Sequence, residues 1–504
     1  MIQRLGSSLV KMPNGITLTQ WLQPANIIKV DDAPYNGDLI AAYNAIPVIG
    51  NYALVLTNHT YNAVGLFDAG RNMKPNITII GAGMPQLADD RSSFVEGSGT
   101  IIKGAVKNSA KGFQIGNLGI DCGNTVSRTY YQPARFEDPL QIYGCGANAN
   151  IFIDNVKCLS AVSVDERPGT HSILLEQTEG VTLGYVECIG GFHGLTIKCR
   201  NLRGGIAHCY GQYGGGFIIK SDAGGAASHI YMERIQVGHP DQSMWPDVHL
   251  GGIYDAHDGV TIDSVSIGEL HVVRGTWGLI PADNATGNIT NFHIGHYECH
   301  LTYGNYYSLV INNKVVGWTM GTHNITNCSG GIKVDPASVY VNIGTGRSTN
   351  NTESGYSLGG NTLIHGELIA DANGKYGVEY SGGLGLDVSK IHGFQNPLGT
   401  YSGYSSAIQS LLWPDAGFEA MVTGRTVTLR GSLTKGTTAW CGQVLDAVKP
   451  TRDIRIYAWA VGLGGSMVPV EAWIRSANGA IDVVGKDSVG EGQIVSFTGS
   501  YIFK

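Results

Sequence analysis

Residues 180–199 read GVTLGYVECIGGFHGLTIKC, and residues 201–220 read NLRGGIAHCYGQYGGGFIIK. Strict identity between the two is low, yet apolar runs, glycine pairs, a cysteine and a lysine fall in the same order. Glu176 to Lys198 spans 22 positions, and Lys198 to Lys220 spans 22 again. Phrases of the same kind recur outward from this pair: NITIIGAG (76–83), NIFIDNVKC (150–158), HIYMERIQVG (229–238), GVTIDSVSIG (259–268), NITNFHIGHYEC (288–299) and WTMGTHNITNC (318–328). Between them lies a second short strand ending in a polar residue, as in SILLEQ (172–177), GFIIKSD (216–222) and GGIYD (251–255). Later intervals lengthen, with loop-like residues absorbing the difference. Two or three short strands per period of this size predict a right-handed parallel β-helix, one coil per period. Each coil of such a solenoid buries its apolar face only against its neighbours, which is why successive coils resemble one another. Cys158, Cys188, Cys209, Cys299 and Cys328 recur in step and read as small inward residues.

Composition agrees with an all-β chain. Only 14% of the 504 residues are charged, and the 72 glycines are about twice the usual share, without a collagen-like period. A net charge of −7 and no basic run argue against nucleic acid and anionic membrane as partners. No apolar stretch reaches the ~18 residues that a membrane helix needs, so no membrane insertion is expected. The first residues, MIQRLGSSLVKMPNGITL, lack a signal-peptide apolar region. The expectation is therefore folding in a cytosol, with free thiols and no meaning for sequons such as those at Asn58 and Asn288. Nine cysteines without a Cys-x-x-Cys pair give no support to a metal or redox site, and no cofactor is expected.

The ends differ from the middle. Residues 36–62 predict a short amphipathic helix around Leu39–Ile46 followed by a strand, a cap for the open first coil. The solenoid pattern fades near residue 400. Beyond it, FEAMVTGRTVTLRGSLTKG (418–436), RIYAWAVGLGG (455–465) and VEAWIRSANGAIDVVG (470–485) alternate apolar and polar residues between glycine-rich turns, an antiparallel β-sandwich pattern. The organisation expected is a neck segment at 1–25, the capped β-helix at 26–405 and a C-terminal β-sandwich-like tip domain at 406–504.

A helical cap, NITIIGAG…GTIIKG (76–104), irregular coils and a compact C-terminal β-domain together resemble bacteriophage tailspike proteins with pectate-lyase-like β-helices. The resemblance implies a homotrimer on the virion tail, attached to tail or baseplate proteins through its N-terminus. It also implies a depolymerase folded in the host cytoplasm that acts at the bacterial surface on O-antigen or capsule. Only some 25 residues precede the cap, where such spikes often carry a virion-attachment domain.

The residues themselves admit this chemistry. Glycoside hydrolysis needs two carboxyls, one to protonate the leaving oxygen and one to activate water or attack. The strand-end column supplies Glu176, Lys198, Lys220 with Asp222, then Asp255 and Asp283. Stacking at about 4.8 Å puts Asp222 and Asp255 one coil apart and Glu176 and Asp222 two coils apart. The column can therefore host either a retaining or an inverting pair, or simply cap turns. Elimination on a uronate is the alternative, needing a cation and a base. His193, Lys198, Arg200, Arg203, His208, Tyr210, Tyr213 and Lys220 concentrate basic and tyrosyl groups here. The catalytic candidates are Asp222, Asp255, Glu176 and His208. The candidate sugar-binding residues are Lys198, Lys220, Tyr213, Trp245, Asp247, Tyr254 and Trp277, the aromatics offering platforms for pyranose rings. A second insertion, NTVSRTYYQPARFEDP (124–139), adds Tyr130, Tyr131, Arg128, Arg135, Glu137 and Asp138. A spike that binds polysaccharide without cleaving it would use the same residues, and clustering on consecutive coils favours cleavage.

Overall fold

Alternating apolar side chains, interrupted by residues that tolerate a left-handed backbone, wind the chain into parallel coils. The computed structural model describes residues 26–63, 74–89, 93–122, 138–160, 171–212, 214–238, 251–282, 286–304, 307–312, 314–359, 363–375, 377–380, 390–392, 408–409, 419–423, 426–434, 440–444, 450–461, 467–477, 480–484 and 494–502. The chain divides into two compact units, residues 1–276 with 281–293 and residues 277–280 with 294–504.

The first unit opens with a parallel ladder in which Asn26–Lys29 pairs with Tyr52–Val55, and that strand with Ile77–Ile80. Between the first two strands lies helix α1 (Leu39–Ala45), the helix expected from sequence. Asp38 caps it, accepting the Ala41 N–H at 2.9 Å. At the other end the Lys74 ammonium donates to the carbonyls of Tyr43 and Asn44, and the Ile46 N–H also donates to Tyr43. The central coils follow. Strands β1 (Leu140–Gly146) and β2 (Ile151–Leu159) both pair with the long β3 (His171–Ile189). Strand β4 (His193–Tyr210) pairs along β3 with one register shift between Glu176 and Glu179, and β5 (Gly215–Ser221) and β6 (Ser228–Val237) continue β4. Strand β7 (Gly252–Ala256) pairs with β5, and β8 (Ile262–Val273) with β6. Every one of these pairings is parallel.

Register explains the repeat that opens the chain's central stretch. Glu176 lies opposite Lys198, Cys188 opposite Cys209 and Cys158 opposite Cys188. Ile173, Leu195 and Phe217 form one inward column and Leu175, Ile197, Ile219 and Tyr254 another, all fully buried. The three stacked cysteines are buried as expected, as are Cys299 and Cys328 in the second unit. Bends within the strands use stacked asparagines: Asn155 donates to Asn117 at 2.7 Å, and both take φ near +57°. Asparagine pays less for this left-handed conformation than most residues with a Cβ. Glycine is required where coils touch. A Cβ on Gly194 would lie 2.1 Å from the carbonyl oxygen of Gly216 on the next coil. Gly194→Ala is therefore expected to lower stability by about 1–3 kcal/mol in denaturant unfolding.

The second unit contains two kinds of sheet. Tyr307–Ile311, Gly330–Val334, Tyr356–Leu358 and Val378–Tyr380 stack as parallel coils, with a second ladder from Val315–Thr326 through Val339–Asn342 to Leu363–Ile364. From Ile408 onward pairing switches to an eight-stranded antiparallel sheet. Its central strands are β9 (Ile454–Val461), β10 (Met467–Ile474), β11 (Ala480–Val484) and β12 (Ile494–Ile502). The chain is thus an all-β solenoid of parallel coils with a helix near its start and an antiparallel C-terminal sheet.

Candidate functional site

Inward and outward residues alternate along the first part of β3 and β4 and along β5 and β7, so Glu176, Lys198, Lys220 and Asp255 share one outward column. Glu176 sits beside Lys198, and Lys220 beside Asp255. The ammonium of Lys198 lies 2.6 Å from Glu176 Oε1 and 2.7 Å from Asp222 Oδ1. Two carboxylate oxygens on one ammonium are at most about 5 Å apart, close enough for a retaining pair. Lys220 continues the chain of charges, 3.7 Å from Asp222 Oδ2 and 3.0 Å from Asp255 Oδ2. That places the facing oxygens of Asp222 and Asp255 at most about 7 Å apart, an upper limit that only reaches the lower edge of the span that admits a water between carboxyls. His257, two residues past Asp255, brings Nε2 to 2.5 Å from Asp255 Oδ1.

A tight turn builds this cluster. Asp222 and Gly225 exchange backbone hydrogen bonds of 2.9 and 3.0 Å, and Asp222 Oδ1 also accepts the Gly224 N–H at 2.8 Å. The turn folds back over the Lys198 side chain, leaving it 11% exposed. A Cβ on Gly224 would come within 2.6 Å of the Lys198 ammonium, so the small residues of SDAGGA (221–226) let the backbone lie against the ion pair.

Charge states follow from these contacts. Burial pushes the Asp222 carboxyl up, but the Lys198 hydrogen bond, the Gly224 N–H and the two lysine charges outweigh it and hold its pKa below the ordinary value. Burial alone would lower Lys198, whereas its bonds to Asp222 and Glu176 raise it overall. Asp222 is an anion and Lys198 a cation at neutral pH. Beside the lysines, at the strand starts, the rings of His171 and His193 stack 5.2 Å apart, and His171 Nδ1 lies 2.6 Å from Thr196 Oγ1. Burial first, then the lysine charges, lowers His171 to about 4. Burial, His171 and Lys220 lower His193 to about 3. Both are neutral. Asp138 accepts the His171 backbone N–H at 2.6 Å. Burial drives its pKa to about 7, against the His171 N–H and Lys107, with Glu176 adding to the rise.

A cleft of about 330 Å³ adjoins the ion pair, lined by Gly146, Gln177, Glu179, Lys198, Arg200 and Gly225 among others. Its volume is at the lower end of ligand sites. The connections at the preceding corner differ in length. Those at 190–192 and 211–214 are short, while 122–139, 160–170 and 238–251 are long.

Of the residues singled out from sequence, Glu176, Lys198, Lys220, Asp222 and Asp255 come together. His208 does not join them. It lies opposite Glu187, in a column with Lys157 and Gln236, and its Nε2 is 3.1 Å from the Gly238 carbonyl. Tyr254 requires a correction: it is fully buried, opposite Ile219 and 6.2 Å from the Phe292 ring, and offers no face to a sugar. Strand alternation dictates this, since its neighbour Asp255 points outward. Trp277 belongs to the other compact unit. Tyr213, Trp245 and Asp247 lie outside the described residues, as do Tyr130, Tyr131, Arg128, Arg135, Glu137 and Asp283. Sequence reading passed over His171, His257 and the Gly224 turn. The 22-residue interval from His171 to His193 was the available signal for the first. Among the described residues no group of three or more His, Cys, Asp and Glu is arranged to hold a metal ion, and no helix is long and apolar enough to cross a membrane.

No family model matches the sequence, and no curated protein does. Solved structures do match. One is the Dettilon tailspike protein, at 10% identity, covering 96% of each chain with a TM-score of 0.32. Another is the ORF18 protein of Geobacillus virus E2, at 10% identity, covering 91% of this chain and 76% of that one with a TM-score of 0.34. A third is a tailspike protein of Acinetobacter baumannii bacteriophage Fri1, a capsular polysaccharide depolymerase, at 11% identity, 90% and 80% coverage and a TM-score of 0.24. The superpositions are loose, and the chemistry has to come from this chain's own residues.

Proposed function

We propose that this chain is a tailspike depolymerase that hydrolyses glycosidic bonds within a bacterial surface polysaccharide, capsule or O-antigen. The observation that carries the reading is the pair of carboxylates, Glu176 and Asp222, held on one ammonium beside an open cleft. Asp222, kept ionised, is the group to attack the anomeric carbon or to activate water. Glu176 is the second carboxyl if the enzyme is retaining, and Asp255 if it is inverting. Lys198 holds the two carboxyl groups close to each other, a positioning role in place of the sugar contact expected from sequence, and the second carboxyl must carry the proton that passes to the leaving oxygen.

Elimination is the weaker reading at this cluster. A lysine base must be neutral to take a proton, and the hydrogen bonds of Lys198 stabilise its charged form. Assembly as a homotrimer on the phage tail belongs to the same proposal.

The test is incubation with a panel of purified capsules and lipopolysaccharides. New reducing ends without the ultraviolet absorbance of an unsaturated uronate are expected on at least one of them. Growth of that absorbance would instead make the enzyme a lyase, and binding without new ends would make it a receptor.

A further inference from the structure

The outward face of the C-terminal sheet carries a row of aromatic rings that the cleavage cluster does not explain. In β9, Ile456, Ala458 and Ala460 are buried, and the alternate residues Arg455, Tyr457 and Trp459 point the other way. Tyr457 is 71% exposed and Trp459 is 47% exposed. Antiparallel register sets Arg455 opposite Trp473, Tyr457 opposite Glu471 and Trp459 opposite Pro469 of β10. Tyr457, Trp459 and Trp473 therefore share one face. Alternate positions along a strand are about 6–7 Å apart, a spacing on the order of one sugar ring.

The polar groups between the rings are fixed in place. Glu471 Oε1 accepts from Trp473 Nε1 at 3.0 Å and from Arg455 Nε at 3.0 Å. Arg475 lies over the Trp473 ring, 5.7 Å from its centroid, and is itself held by Asp453 and Asp482. The centre of a protein–protein interface is depleted in charge. Here the polar groups that border Tyr457 and Trp473 are already held by their neighbours, so little ordering of them is left for a ligand to impose. Flat apolar rings alternating with fixed donors and acceptors match the two chemistries of a pyranose, its C–H faces and its hydroxyls.

We infer that this face is a second saccharide site, which holds polysaccharide by stacking on Tyr457 and Trp459 independently of the Asp222 cluster. It retains the polymer and takes no part in bond cleavage.

The full-length chain is applied to an array of purified bacterial capsules and lipopolysaccharides in four forms: wild type, the Tyr457→Ala/Trp459→Ala double variant, Trp459→Tyr and Asp222→Asn. Sedimentation velocity and thermal unfolding accompany each. The double variant is expected to lose tenfold or more in retention at unchanged sedimentation and unfolding. Trp459→Tyr should keep most of the retention, and Asp222→Asn should keep all of it while losing any cleavage. Retention unaltered in the double variant, or no polysaccharide retained by any form, overturns the inference. A changed sedimentation coefficient in the double variant also overturns it, by assigning the face to a second copy of the chain. Failure of cleavage at Asp222 leaves the retention comparison intact, so the two readings fail separately.

Discussion

Asp222→Asn is expected to reduce the release of reducing ends from a susceptible polysaccharide by about 10²–10⁴-fold, the range associated with removing a positioned proton-transfer group. The substitution keeps the shape of the turn. An asparagine oxygen can still accept the Gly224 N–H that Asp222 Oδ1 accepts at 2.8 Å. Glu176 remains on Lys198 at 2.6 Å, so the ammonium keeps one carboxyl partner. Only the negative charge of Asp222 disappears, and with it the group that would attack or activate water. Circular dichroism and thermal unfolding close to wild type would establish that the fold is retained. A variant that is folded and cleaves at the wild-type rate would remove Asp222 from the mechanism.

The second large effect concerns stability. Asp138 keeps its proton in the folded chain up to about pH 7 because burial penalises its anion. In the unfolded chain the carboxyl ionises near 3.9. Between these values the folded state binds the proton and the unfolded state does not. Stability attributable to this group therefore falls as pH rises from about 4 to about 7 and is flat outside that window. Asp138→Asn removes the titration and keeps an oxygen for the His171 N–H now accepted at 2.6 Å. Relative to wild type, the variant is expected to gain stability steadily across the window, approaching about 4 kcal/mol at its upper end. Urea unfolding at a series of pH values measures the difference. A difference independent of pH would mean that Asp138 is ionised throughout, paired with Lys107.

The sequence was legible where stacking is strict. Cys188 above Cys209 and Lys198 beside Glu176 follow from nearly equal intervals of 21 and 22 residues, because coils joined by short turns repeat at almost constant length. The same interval fails across a long connection. Asp138 meets His171 across 33 positions, with residues 160–170 intervening, so periodicity could not join them. Tyr254 was misread because its residue type was weighed without its parity, although its neighbour Asp255 had already been placed outward. His208 was grouped with Asp222 through proximity in sequence, yet β4 runs past the cluster before reaching it. The turn at 222–225 was hidden for another reason. Nothing in SDAGGA announces that its backbone will cover a lysine from the preceding coil, since that contact depends on the stack and not on the local pattern.

The stacking of Glu176, Lys198, Lys220 and Asp255 on successive coils makes distance a discrete quantity in this protein. Backbones in the column can approach only in whole steps of about 4.8 Å. Inserting or deleting a coil would jump from one step to the next, too coarse to tune a pair of catalytic oxygens. The turn at 222–225 escapes that lattice. By leading Asp222 back toward the coil of Lys198, it brings that carboxyl within about 5 Å of Glu176, although whole steps of the stack would hold residues two coils apart at about 10 Å. Reaction stereochemistry in such a scaffold can therefore change through a few residues in one loop, while the solenoid beneath it stays the same.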